Sequence, residues 1–166
     1  MCSVVNRAQA LESPVLRTIR RLLLGLVILG MAGTAADLLL LGHYEEIWQT
    51  LPLLTIAIAL LAIVWLLLAP SVLAVMAMRM VMALFIATGG GGMVLHYNGN
   101  REFQHEIDPN LRGWSLFTTV ITSNAPPALA PSVMIHLGML GLLYTYRHPA
   151  LERAVSRPHS QSQEPV

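Results

Sequence analysis

GGGGMVLHYNGNREFQHEIDP, residues Gly89–Pro109, is the stretch whose reading decides the fold. Upstream of it the chain is apolar from Val72 onward. Within it appear two of the six histidines, two glutamates and an aspartate. That change marks the place where an apolar helix leaves lipid and a polar loop begins. The four glycines admit two readings, since each is about 1 kcal/mol less favourable than alanine in a helix in water. They unwind the end of the helix and expose backbone groups of the kind that bind substrate or ions in transporters. Alternatively, they let a neighbouring backbone approach closely, because no side chains intervene. We favour the close approach.

Working outward, the whole chain has the same apolar character. Of its 166 residues 55% are hydrophobic and 11% charged, against about 25% charged in a soluble domain. Too few charges remain to cover a water-facing surface, so lipid is the expected solvent. A net charge of +1 and the lack of a dense basic run beyond Arg17–Arg21 exclude a nucleic-acid binder. The one cysteine, Cys2, rules out an intramolecular disulfide and has no lipobox before it.

The expected fold is all-α, a four-helix transmembrane bundle with a partly helical outer (periplasmic or extracytoplasmic) loop. Roughly twenty apolar residues span a bilayer core as a helix. Spans are expected near 22–41, 51–68, 72–95 and 128–146, within a membrane domain of residues 22–146. Residues 1–21 form a polar cytoplasmic segment, and 147–166 a disordered cytoplasmic tail rich in Ser, Gln and Pro. The first span competes with a signal peptide, because Thr34-Ala35-Ala36 resembles a cleavage site. The apolar run continues through Leu38–Leu41, which favours an uncleaved helix. Pro52 falls in the first turn of the second span. Ala69-Pro70-Ser71 is a tight turn with Ser71 as helix N-cap. The outer loop, 97–127, holds two short helices. One is polar, Asn100–Ile107. The other, Leu111–Ser123, sets Trp114, Phe117, Val120 and Ile121 against Ser115, Thr118, Thr119 and Thr122, as in a helix lying in the interface plane.

Arginine placement orients the bundle. Arg7, Arg17, Arg20, Arg21, Arg79, Arg147, Arg153 and Arg157 fall toward one side, Arg101 and Arg112 toward the other. The positive-inside rule then puts both termini in the cytoplasm and the protein in the plasma (inner) membrane. Arg79, inside the third span, is expected to snorkel to the cytoplasmic headgroups. Ala83, Ala87 and Gly91, and Gly138 with Gly141, are candidate small-residue contact faces. Met76, Met78, Met80 and Met82 resemble a copper-thioether run, but alternate helical residues diverge, so packing is the better reading.

The candidate chemistry gathers on the outer side. Asp37, Glu45, Glu46, Glu102, Glu106 and Asp108 lie there, with His43, His96, His105 and His136. Imidazole with carboxylate suits Zn, Cu, Fe or Mn. The metal candidates are His43, His96, Glu102, His105 and Glu106, with Zn or Cu the expected ion. Glu102, His105 and Glu106 share a helical face. Glu-x-x-His is the spacing of di-iron bundles, but those need two such motifs and this chain has one. His43-Tyr44 and His96-Tyr97 end the first and third spans alike, which would also suit the two faces of a b-type haem, a lesser option. Asp37 and His136 lie about 9 and 12 Å below the outer helix ends, so an intramembrane carboxylate–imidazole pair is expected. No nucleophile elbow, P-loop or His-Glu-x-x-His motif occurs, so no catalytic residue is assigned. The expected role is a binding or accessory protein with a His/carboxylate pocket. The alternatives are a small proton-coupled transporter or channel subunit acting as an oligomer, and a structural subunit without ligand. The expected partners are the lipid bilayer, a second copy or another membrane protein.

Overall fold

The computed structural model describes residues 14–123 and 127–155, with side chains as far as residue 152. They form six helices: α1 Pro14–Leu40, α2 Ile47–Leu68, α3 Val72–Ile107, α4 Gly113–Ile121, α5 Ser132–Thr145 and α6 Pro149–Val155. No strand occurs among the described residues. The first three helices are long and apolar enough to cross a membrane, and their outward surfaces are lipid-like. Leu29 and Leu61 are each 70% exposed and Leu73 67%, which only an apolar solvent tolerates over so many neighbouring positions. The protein is therefore an all-helical membrane protein.

Local chemistry explains the helix boundaries. Ser71 caps α3 through its side-chain oxygen, which accepts from the Ala74 N–H at 3.1 Å, as its residue type suggested. The backbone N–H groups of Glu45 and Glu46 donate to Gln49 Oε1 and so hold the start of α2. Because α2 starts at Ile47, Pro52 sits inside the helix and not in its first turn. The missing proline N–H leaves the Trp48 carbonyl without its usual helical donor.

The largest departure from expectation is α3. It runs unbroken for 36 residues, about 54 Å at 1.5 Å per residue, whereas a helix ending near Leu95 and a separate one over Asn100–Ile107 were expected. The glycine run stays helical because α5 packs on it. Gly89 and Gly92 lie against Pro131, and Gly89 also against Ile135. From α5, Gly138 meets the backbone of Met82 together with Ile86 and Phe85, and Gly141 meets Met82. The α5 glycines thus make the close contact their spacing suggested. On α3 the contacting face is Gly89 and Gly92, while Ala83, Ala87 and Gly91 are exposed. Gly30 of α1 rests on Leu137. α3 therefore packs chiefly on α5 and next on α2, while α1 packs on α5 and, less, on α2. Val27, Met31, Ile56, Met78, Met82 and Phe85 fill the shared core. Met78 and Met82 are buried while Met76 and Met80 are exposed, so the methionine run is split between core and lipid as helical phase requires.

α5 has 14 residues, about 21 Å, where a longer span over 128–146 was expected. Pro131 and the turns before it delay its start, and Arg147, at φ +46°, breaks the chain after Tyr146. Its freed C-terminal carbonyls are met by arginines. Arg79 Nη2 donates to the Thr145 carbonyl at 2.9 Å, and Arg20 Nη2 to the carbonyls of Tyr146 (3.4 Å) and Arg147 (3.2 Å). Cations at a helix C-terminus answer its partial negative charge. Arg79 thus holds α5 instead of only snorkelling to lipid. The chain then resumes as α6, whose Ala150 is buried and whose Leu151 packs on the core, where a disordered tail was expected from residue 147. Residues 1–13, including Cys2, and 156–166 lie outside the described residues.

Candidate functional site

Two histidines 53 positions apart in the chain meet at the α1–α2 loop. α1 ends with Gly42 in the left-handed region, at φ +65°. The His43 N–H donates to the Leu38 carbonyl at 2.9 Å and the Gly42 N–H to that of Leu39 at 3.2 Å. This paired capping bond folds His43 back over the helix end. His96 projects from α3 at the same level, and the two ring centroids are 6.1 Å apart at 61°. The Pro127 carbonyl lies 3.1 Å from His96 Nδ1. A carbonyl can only accept, so Nδ1 carries the hydrogen and Nε2 of the neutral ring keeps its lone pair. Partial burial, reinforced by the neighbouring His96, holds the His43 imidazole below its ordinary pKa. Burial therefore favours the neutral His43 ring, the form that binds a metal.

Glu102, His105 and Glu106 continue up α3, away from this pair. Because the helix is unbroken, nine residues separate His96 from His105 by two and a half turns, which places them on opposite sides. Glu102 and Glu106 are exposed and His105 half-buried. Among the described residues no group of three or more His, Cys, Asp or Glu is placed to hold one ion. The five metal candidates therefore separate into a histidine pair and a distant solvated face.

Asp37 and His136 are both exposed. His136 lies on the α5 face turned from the buried Met134, Leu137, Gly138 and Gly141, and its Nδ1 is 2.7 Å from the Ser132 carbonyl. No ion pair or hydrogen bond joins it to Asp37. Helical phase is the reason: matching depth in a bilayer does not make two residues face each other.

α4 borders the histidine site. It lies along α3, with Phe117 6.2 Å from Tyr97 and Trp114 stacked on Phe117 at 5.1 Å. Val120 is fully buried and Trp114 is exposed. An open apolar cleft of about 230 Å³ beside it is lined by Met93, Val94, Tyr97, Ile121, Ala128 and Leu129. Sequence reasoning did not single out Gly42 or Pro127, which position the two histidines. Gly42 was legible, since a glycine just after an apolar helical run is the usual helix-ending residue. Pro127 carried no such signal.

Comparison with protein-family models, curated proteins and solved structures found no match. The fold and site define a small multi-helix membrane protein with an imidazole pair at one end of its bundle.

Proposed function

We propose that this chain is a binding or accessory protein of the plasma membrane that holds a Zn or Cu ion between His43 and His96 at the outer face. In this reading α5 with α6 makes a fourth, interrupted crossing, so both termini are cytoplasmic, as the arginine distribution favours. The observation that carries the reading is the pairing of the two rings, with Nε2 of His96 freed by the Pro127 carbonyl. A ligating histidine usually donates its second nitrogen to such an acceptor, which fixes its tautomer and orientation. Two imidazoles leave coordination positions for water or for a donor from a partner, in keeping with a protein that receives or passes on an ion. Glu102, His105 and Glu106 serve in this reading as the polar face of projecting α3.

The test is metal analysis of the purified protein beside an optical spectrum. Wild type is expected to retain Zn or Cu, and His43→Ala and His96→Ala each to lose it, with Glu102→Ala unchanged. Metal content that survives both histidine substitutions, or a haem absorption band in place of the ion, would overturn the proposal.

A further inference from the structure

The opposite end of the bundle carries a second feature, independent of the histidine pair. Arg20 bonds the carbonyls of Tyr146 and Arg147, more than 120 residues along the chain. That contact brings the α1 arginines to the break after α5, where Arg79 already grips Thr145. Arg17 and Arg21 stand one helical turn apart and flank Arg20. Both are exposed, and neither makes an ion pair with a described residue. Arg147 is held left-handed and presents a side chain 74% exposed.

Among the described residues countercharge is scarce here. Leaving Arg20 to its own contacts, Arg17, Arg21, Arg79 and Arg147 face one carboxylate among the described residues, Glu152, 3.7 Å from Arg147. The C-terminus of α5 contributes about half a negative charge. The six remaining described acids, Asp37, Glu45, Glu46, Glu102, Glu106 and Asp108, belong to the histidine end. Arginines gathered at a membrane boundary attract anionic headgroups, by about 1 kcal/mol each near the surface. A guanidinium's planar fork matches phosphate oxygens two at a time. Exposed apolar side chains beside the cluster, Val15, Ile19 and Leu22 of α1 and Tyr146, suit acyl chains. A phosphate that arrives attached to such chains is therefore favoured over a free one.

We propose that this end of the bundle binds an anionic phospholipid, its headgroup phosphate held by Arg17, Arg21 and Arg147 and its chains lying along α1. The α1–α5 seam, closed by Arg20, fixes the spacing of the cradle. Bound lipid would brace the seam at the point where α5 is interrupted.

The experiment is native mass spectrometry of the full chain released from bilayers of mixed phosphatidylglycerol and phosphatidylcholine. Wild type is expected to retain phosphatidylglycerol preferentially. The double variant Arg17→Gln/Arg21→Gln should lower that preference by roughly fivefold per arginine removed, whereas Arg17→Lys/Arg21→Lys should largely keep it. Both side chains are exposed and without described partners, so the substitutions leave the packed core intact. Arg101→Gln/Arg112→Gln, at the far end, should change nothing. A preference unchanged in the Gln double variant, one lowered equally by the far-end pair, or one displaced by millimolar inorganic phosphate would each overturn the lipid assignment.

Discussion

The glycine run makes a sharp prediction, because its four members meet different surroundings on one continuous helix. A Cβ added at Gly89 would lie 2.9 Å from the Pro131 carbonyl oxygen, 3.0 Å from the Ile135 nitrogen and 2.9 Å from Ile135 Cγ1. Two of those atoms are backbone and cannot rotate away. At Gly90 and Gly91 nothing lies within 4 Å of the added atom. Every Gly→Ala change here gains the same helix propensity, up to about 1 kcal/mol in water. The difference between Gly89→Ala and Gly90→Ala therefore isolates the steric term, expected at about 1–3 kcal/mol from the usual cost of overpacking. Gly92→Ala should follow Gly89→Ala, since its Cβ would sit 2.9 Å from the Pro131 ring. Gly138→Ala should also destabilise, its Cβ falling 2.7 Å from the Met82 carbonyl oxygen. Unfolding by SDS titration in bicelles, followed by far-UV circular dichroism, measures each value. Equal stability of Gly89→Ala and Gly90→Ala would refute the packing argument. Comparable loss in both would indicate an unwound segment instead.

Stability of the metal-free protein should fall on acidification. His43 has a depressed pKa in the folded state, so protonation favours the unfolded chain. Its contribution is intact above the unfolded value near 6.5 and is lost as pH drops through the lower folded value. Thermal unfolding between pH 7.5 and 5 should show the decline, and His43→Gln should flatten it. Arg79→Met should destabilise the protein by about 1.5–3 kcal/mol, the usual worth of a hydrogen bond to a charged group, because it removes the donor to the Thr145 carbonyl. Arg79→Lys should recover part of that loss, and equal thermal stability of Arg79→Met and wild type would contradict the capping role. Reporter fusions after Gln49 and Asn110 should read as extracytoplasmic and after Ser160 as cytoplasmic; a cytoplasmic Asn110 would reverse the orientation.

Much of the membrane character was legible in the sequence. Apolar run length alone marked the segments that became α1, α2 and the first part of α3, since a helix that must satisfy its own backbone in lipid leaves little choice of structure. Ser71 was readable as a cap because capping is a local interaction between residues three apart. The methionine run was assigned to packing on helical phase, and the exposures of Met76, Met78, Met80 and Met82 follow that phase.

What sequence could not decide was which faces meet. Break α3 at Leu95, and the Glu102–Glu106 face is free to turn back toward His96. Continue it through Ile107, and the helix rise carries the same residues about 9–15 Å beyond His96, with His105 turned to the opposite side. Continuity goes with the packing of α5, whose Ile135 and preceding cap residue Pro131 cover Gly89, Pro131 covering Gly92 as well, a contact between segments some forty residues apart. Asp37 and His136 were expected at one depth, but depth follows from counting residues whereas azimuth follows from packing. The sequence determined by itself that this chain is a set of membrane helices with basic and acidic ends, because burial in lipid acts on each segment separately. Only the tertiary structure decided that His43 meets His96 and that Arg20 meets the end of α5, because both depend on the phase of one helix against another.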